Sequence, residues 1–167
     1  TVTTSNVTLK SGTVTNVFGG GNSASVGTAN VTLDGITINT IHGGSKDAGV
    51  TTTTNVTLKS GTVTNVFGGG LDVGVTTSNV TEQGATVTNI YGGNNSSSGS
   101  GGETGTTNVN IIDSTVLNVY GGNYLKGTTR YANITIQGTS VIQGKLFGGG
   151  YQSEIGTSSA RGSATIN

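Results

Sequence analysis

Cysteine, methionine, proline and tryptophan are absent from these 167 residues, and histidine occurs once, as His42. Without cysteine there is no disulfide framework and no thiolate zinc site. Charge is scarce: seven basic residues balance seven acidic ones, so no basic field draws in nucleic acid. No apolar run approaches the roughly 18 residues of a membrane span. With only 31% hydrophobic residues there is not enough apolar volume for a thick globular core. Glycine and threonine are plentiful instead, at 31 and 32 residues. The composition does not rule out secretion, and the chain begins at Thr1 with neither Met nor a signal-peptide pattern, which reads as a mature or excised piece of a longer product.

A repeat organises the whole chain. NVTLKSGTVTNVFGGG at Asn6 to Gly21 returns residue for residue at Asn55 to Gly70, and related copies open at Asn30, Asn79, Asn108 and Asn133. The intervals are 24, 25, 24, 29 and 25 residues, and a partial copy begins at Ser163. In each copy the hydrophobic period is two, as in Val7 and Leu9, Val31 and Leu33, or Ile134 and Ile136, the alternation of a strand with one buried face. A second short strand carries Val14, Ile38, Val63, Val87, Val116 and Val141 inward, followed by Val17, Ile41, Val66, Ile90, Val119 and Leu146. A Thr- and Ser-rich third stretch leads into the next Asn.

Three short strands per turn predict an all-β fold, a parallel β-helix (β-solenoid) of about six rungs forming a single domain over 1–167. Rungs at about 4.8 Å make a rod roughly 30 Å long. Crossover handedness favours a right-handed coil. The GG after each aromatic position marks a corner, where glycine permits positive φ or close backbone passage. All length variation is expected directly after that corner, placing the loops on one edge.

The spacing N-V-T-x-x-x-x-T-V-x-N-V-[FY]-G-G-[GN] resembles the Gly-rich β-strand repeats of large bacterial cell-surface and adhesin-like proteins. That resemblance implies surface display, adhesion or scaffolding at an extracellular location, without a catalytic motif.

Several columns arise if the rungs stay in register. Asn6, Asn30, Asn55, Asn79, Asn108 and Asn133 form one, and five of them open Asn-x-Thr sequons. Glycans only about 5 Å apart would collide, so an amide ladder is the expectation. Asn16, Asn65, Asn89 and Asn118 form a second amide column, with Thr40 and Lys145 as exceptions. Phe18, His42, Phe67, Tyr91, Tyr120 and Phe147 form an aromatic column that stacks for stability or offers surface glycans a platform. Lys10, Asp34, Lys59 and Gln83 follow the Asn at a fixed offset and would favour register by alternating sign.

Asp47 and Asp72 share one offset from their Asn and are the single paired-carboxylate signal; they read first as solvated loop charges, then as a candidate calcium site, and last as a retaining-glycosidase pair, for which no neighbouring Lys, Arg or His completes a catalytic set. No other metal or cofactor is implied. The outward residues of the second strand, Thr13 and Thr15, Thr37, Thr62 and Thr64, Thr86 and Thr88, and Thr115, resemble the flat Thr arrays of ice-binding solenoids. Neither end carries a polar cap, because Thr1 to Ser5 and Ser163 to Ile166 both match ordinary rung segments. Together these features lead to a non-enzymatic structural or adhesive segment of a secreted or surface fibre, stacked end to end with itself or with more of its own chain. Ice binding is the alternative, and a carbohydrate-binding or tailspike-like carbohydrate-active β-helix is third.

Overall fold

The computed structural model describes residues 2–47, 51–97, 102–157 and 160–167, with the backbone alone at 157 and 160. Its strands, in chain order, are β1 (Val2–Leu9), β2 (Thr13–Phe18), β3 (Val26–His42), β4 (Thr51–Phe67), β5 (Val75–Glu82), β6 (Thr86–Tyr91) and β7 (Thr104–Ile112). β8 (Thr115–Tyr120), β9 (Thr128–Gln137), β10 (Val141–Phe147), β11 (Glu154–Thr157), β12 (Ala160–Arg161) and β13 (Ser163–Ile166) complete them. The described residues contain no helix. The chain coils into a β-solenoid of about six turns.

Every turn pairs in parallel with the next, and equivalent residues meet: Asn6 with Asn30, Asn30 with Asn55, Asn55 with Asn79, Asn79 with Asn108, Asn108 with Asn133. Thr165 takes the Asn position in the partial seventh turn. The valines and leucines enforce this register, since a slip of one residue would turn the whole apolar set outward. The interior is a narrow stack led by Val31, Leu33, Ile41, Val56, Leu58, Val63, Val66, Ile90, Ile111, Val119 and Ile134, all at most 1% exposed. Only β11 and β12 pair antiparallel among the described strands.

The Thr- and Ser-rich stretch is not a separate strand. It runs directly into the Asn strand, and in β3 and β4 the continuous strand extends to 17 residues and includes the aromatic position. The turn of direction lies inside it. Val26 and Ala29 are both buried, as are Thr51 and Thr54, Val75 and Ser78, Thr104 and Thr107. Inward positions three apart break the period of two, so two consecutive residues face out and bend the strand around the core.

Rung six departs from the expected register. Val141 pairs with Thr115 and is 49% exposed, while Ile142 pairs with the buried Val116 and is the inward residue. This copy is two residues longer between its Asn and its aromatic residue. The extra length is taken up partly before Val141 and partly by a bulge between Ile142 and Lys145. Length variation is therefore not confined to the edge after the Gly corner.

The two kinds of corner use glycine differently. After the aromatic residue, a Cβ at Gly43, Gly92 or Gly121 would lie well inside 3.0 Å of the next rung's glycine carbonyl oxygen. Close stacking is the constraint there. At the bend before the second strand, Gly12, Gly35, Gly61, Gly84 and Gly138 have positive φ, and Asp113 occupies that slot in rung five at φ 49. Aspartate is among the few side chains that tolerate this region. Its Oδ1 accepts a hydrogen bond from the Thr139 amide at 2.9 Å.

Candidate functional site

The Asn strand presents its amides outward, and they form an unbroken chain. Asn30 Nδ2 donates to Asn6 Oδ1 at 2.8 Å, Asn55 to Asn30 at 2.8 Å, Asn79 to Asn55 at 2.9 Å, Asn108 to Asn79 at 2.9 Å and Asn133 to Asn108 at 3.0 Å. The second column behaves alike where it is asparagine: Asn89 donates to Asn65 and Asn118 to Asn89, both at 2.9 Å. Thr40 interrupts it. At its far end the Lys145 amide donates to Asn118 Oδ1 at 3.0 Å. Removing Asn79 from the middle of the first ladder deletes two hydrogen bonds and strands two half-buried partners. Asn79→Ala is expected to cost about 1–3 kcal/mol in denaturant unfolding, and Asn6→Ala, at the end of the ladder, about half as much.

The aromatic column is continuous. Centroid separations run 4.6 Å for Phe18–His42, 5.0 Å for His42–Phe67, Phe67–Tyr91 and Tyr91–Tyr120, and 5.5 Å for Tyr120–Phe147, with interplanar angles of 6–15°. His42 is 3% exposed. Its Nε2 lies 3.3 Å from Asn95 Nδ2, which makes Nε2 the acceptor and places the ring proton on Nδ1. Nδ1 is buried without a hydrogen-bond partner. Burial pushes the pKa of His42 down from 6.5 to about 4, against the pull of the Asp72 carboxylate and the Val17 backbone. A neutral ring follows.

Asp47 and Asp72 are held by different partners. Asp47 ion-pairs with Lys46 at 3.3 Å on an exposed loop, whereas Asp72 Oδ1 accepts from Ser96 Oγ and the Ser97 amide, both at 3.0 Å. Among the described residues no group of three or more His, Asp or Glu side chains is placed to hold a metal ion. The offset Lys and Asp residues do not pair between rungs either. Asp34 accepts from Ser60 Oγ at 3.2 Å, because the strand register shifts there.

On the outward face of the second strand Thr13, Thr37 and Thr62 pair in sequence, Thr62 meets Thr86, and Thr115 follows in rung five. The parallel column of Thr15, Thr64 and Thr88 is broken by Asn39 and by Leu117, which is 41% exposed. Behind these faces, inward hydroxyls satisfy the close corner: Thr54 donates to the Gly68 carbonyl at 2.6 Å, Ser78 to Gly92 at 2.6 Å and Thr107 to Gly121 at 2.5 Å.

Three features were not anticipated from the sequence. Glu82 occupies the inward slot that is Leu58 in the rung before and Ile111 in the rung after, and it is fully buried. Its Oε1 accepts from the Gly84 amide at 2.9 Å, and Oε2 has no hydrogen-bond partner. Burial raises its pKa from 4.5 to about 7, with the Gly84 and Ala85 backbone and the Ser114 hydroxyl pulling the other way. Alignment of the inward slots would have exposed it. Asn94 and Asn123, both buried, tie the loop base together, with Asn123 Oδ1 accepting from the Asn94 amide at 2.9 Å and from Thr104 Oγ1 at 2.9 Å. Finally, Tyr124 and Tyr151 leave the loops of rungs five and six to lie against the aromatic column. Comparison with protein-family models, with curated proteins and with solved structures yields no match.

Proposed function

We propose that this chain is a non-enzymatic structural segment of an extracellular or cell-surface fibre, a rod whose ends accept further β-structure and whose Thr-rich faces make adhesive contacts. The observation that carries this reading is the uniform stack: equivalent residues pair from rung to rung in one parallel register, and the Asn ladder and the aromatic column run unbroken along it. An unpaired strand edge with apolar residues beside it is a template for another strand. A contact joining unlike ends does not close, so it extends a filament rather than stopping at a dimer. The isolated chain is expected to associate with increasing concentration and to give filaments about one solenoid wide by electron microscopy. A dispersed monomer by light scattering at high concentration would overturn end-to-end stacking. The column Thr13, Thr37, Thr62, Thr86 and Thr115 supports ice binding as a second reading, and thermal hysteresis is its test.

A further inference from the structure

Four of the five tyrosines converge on one edge of the rod. Tyr91 and Tyr120 stack in the column at 5.0 Å, Tyr124 lies 4.8 Å from Tyr91 at 59°, Tyr151 meets Tyr120 edge-on at 5.5 Å, and Tyr124 and Tyr151 stack on each other at 5.1 Å and 24°. Packing alone does not require this chemistry, since rungs one, three and six fill the column with Phe. The loop position occupied by Tyr124 and Tyr151 is Lys46, Leu71 and Asn95 in earlier rungs.

We propose that Tyr124 and Tyr151 form an oxidative modification site at which a one-electron oxidant couples the two rings into an intramolecular dityrosine. The pair is suited to it in three respects. The rings stack with centroids 5.1 Å apart and planes 24° from parallel, so a small movement of either side chain brings carbons ortho to the two hydroxyls within bonding reach. Both rings reach solvent, with Tyr151 44% exposed and bordering a depression of about 170 Å³ shared with Tyr120, Lys145, Phe147 and Gly150. Their neighbours Tyr91 and Tyr120 are 5% and 4% exposed, and burial pushes the pKa of both phenols up, which disfavours proton loss from the inner pair. Oxidation of a phenol releases a proton with the electron, so it settles on the outer pair.

The step balances as follows. Each phenol gives up one electron and one proton, the two phenoxyl radicals join through a new carbon–carbon bond between ortho positions, and each ortho hydrogen then moves to its own oxygen to restore the phenol. With a haem peroxidase, one hydrogen peroxide accepts both electrons and both protons and leaves as two waters. The bond would tie the loops of two consecutive turns covalently. This site stands apart from the proposed end-to-end stacking, because it is read within a single chain.

The test treats dilute protein with a haem peroxidase and limiting hydrogen peroxide, then maps peptides by mass spectrometry and reads dityrosine fluorescence. The expected result is a cross-linked peptide pair containing residues 124 and 151, lighter by two hydrogens, with the chain still at monomer mass on a denaturing gel. Tyr124→Phe and Tyr151→Phe, which keep the stacked rings, should each abolish the product. Tyr131→Phe, on an exposed tyrosine outside the cluster, should leave it intact. Cross-links found only between chains, or a product surviving both cluster variants, would overturn the proposal. Melting curves of the Phe variants that match the parent show that loss of product is not loss of fold.

Discussion

Glu82→Gln is expected to leave stability unchanged at pH 4 and to raise it by about 3 kcal/mol at pH 8, a rise of about 6–12 °C in Tm for a chain of this size. The carboxyl ionises near 4.5 in the unfolded chain but near 7 in the fold, because it sits in a slot lined by Leu58 and Ile111. Its contribution is fully present below pH 4.5 and is lost as the pH rises through 7. Glutamine keeps an acceptor for the Gly84 amide and removes the titration. Glu82→Leu should gain more at pH 8, since it adds apolar burial. Parent and Gln curves that run parallel from pH 4 to pH 8 would show that the buried carboxyl is not linked to folding.

His42→Phe should show the mirror image. His42 is neutral in the fold down to about pH 4 but protonates near 6.5 when unfolded, so its contribution is present above 6.5 and is lost as the pH falls through 4. The advantage of the Phe variant over the parent is expected to grow by about 3 kcal/mol between pH 7 and pH 4. Phe already fills the equivalent place in the rungs on either side, at Phe18 and Phe67, so the column survives. Between pH 4.5 and 6.5 the two groups offset each other: unfolding releases a proton from Glu82 and takes one up at His42. The parent's Tm should be nearly flat there with respect to this pair, and either single variant should uncover the other group's slope. Chemical denaturation at several pH values checks all three curves, and a parent slope equal to the sum of both groups acting in one direction would contradict the assignment.

What the sequence makes legible follows from how regularly each feature repeats. Val31 with Leu33 and Val56 with Leu58 announce an inward face, and the Asn and aromatic columns follow because identical residues recur at nearly constant intervals. Glu82 escapes because a charged letter is read as an outward residue unless the slots are aligned, and only one rung carries it. The register of rung six is hidden for another reason. Two extra residues can be absorbed in several places, and only the burial of Ile142 in place of Val141 decides it. Tyr124 and Tyr151 belong to loops of unequal length, where no period links them to the column they meet. For Asp47 and Asp72 a common offset is easy to see, but their neighbours Lys46 and Ser96 decide which group each carboxylate engages.

The Asn ladder also gives the rod an electrical direction. In every link the later residue donates and the earlier one accepts, from Asn133 back to Asn6, and the shorter ladder through Asn118, Asn89 and Asn65 runs the same way. The amide dipoles therefore add along the axis instead of cancelling, each polarising the next. The ladder's free amide NH2 belongs to Asn6, and its last acceptor, Asn133 Oδ1, lies one rung below Thr165 of the partial seventh turn. A second rod placed head to tail would continue the direction of these dipoles, whereas one placed head to head would oppose it.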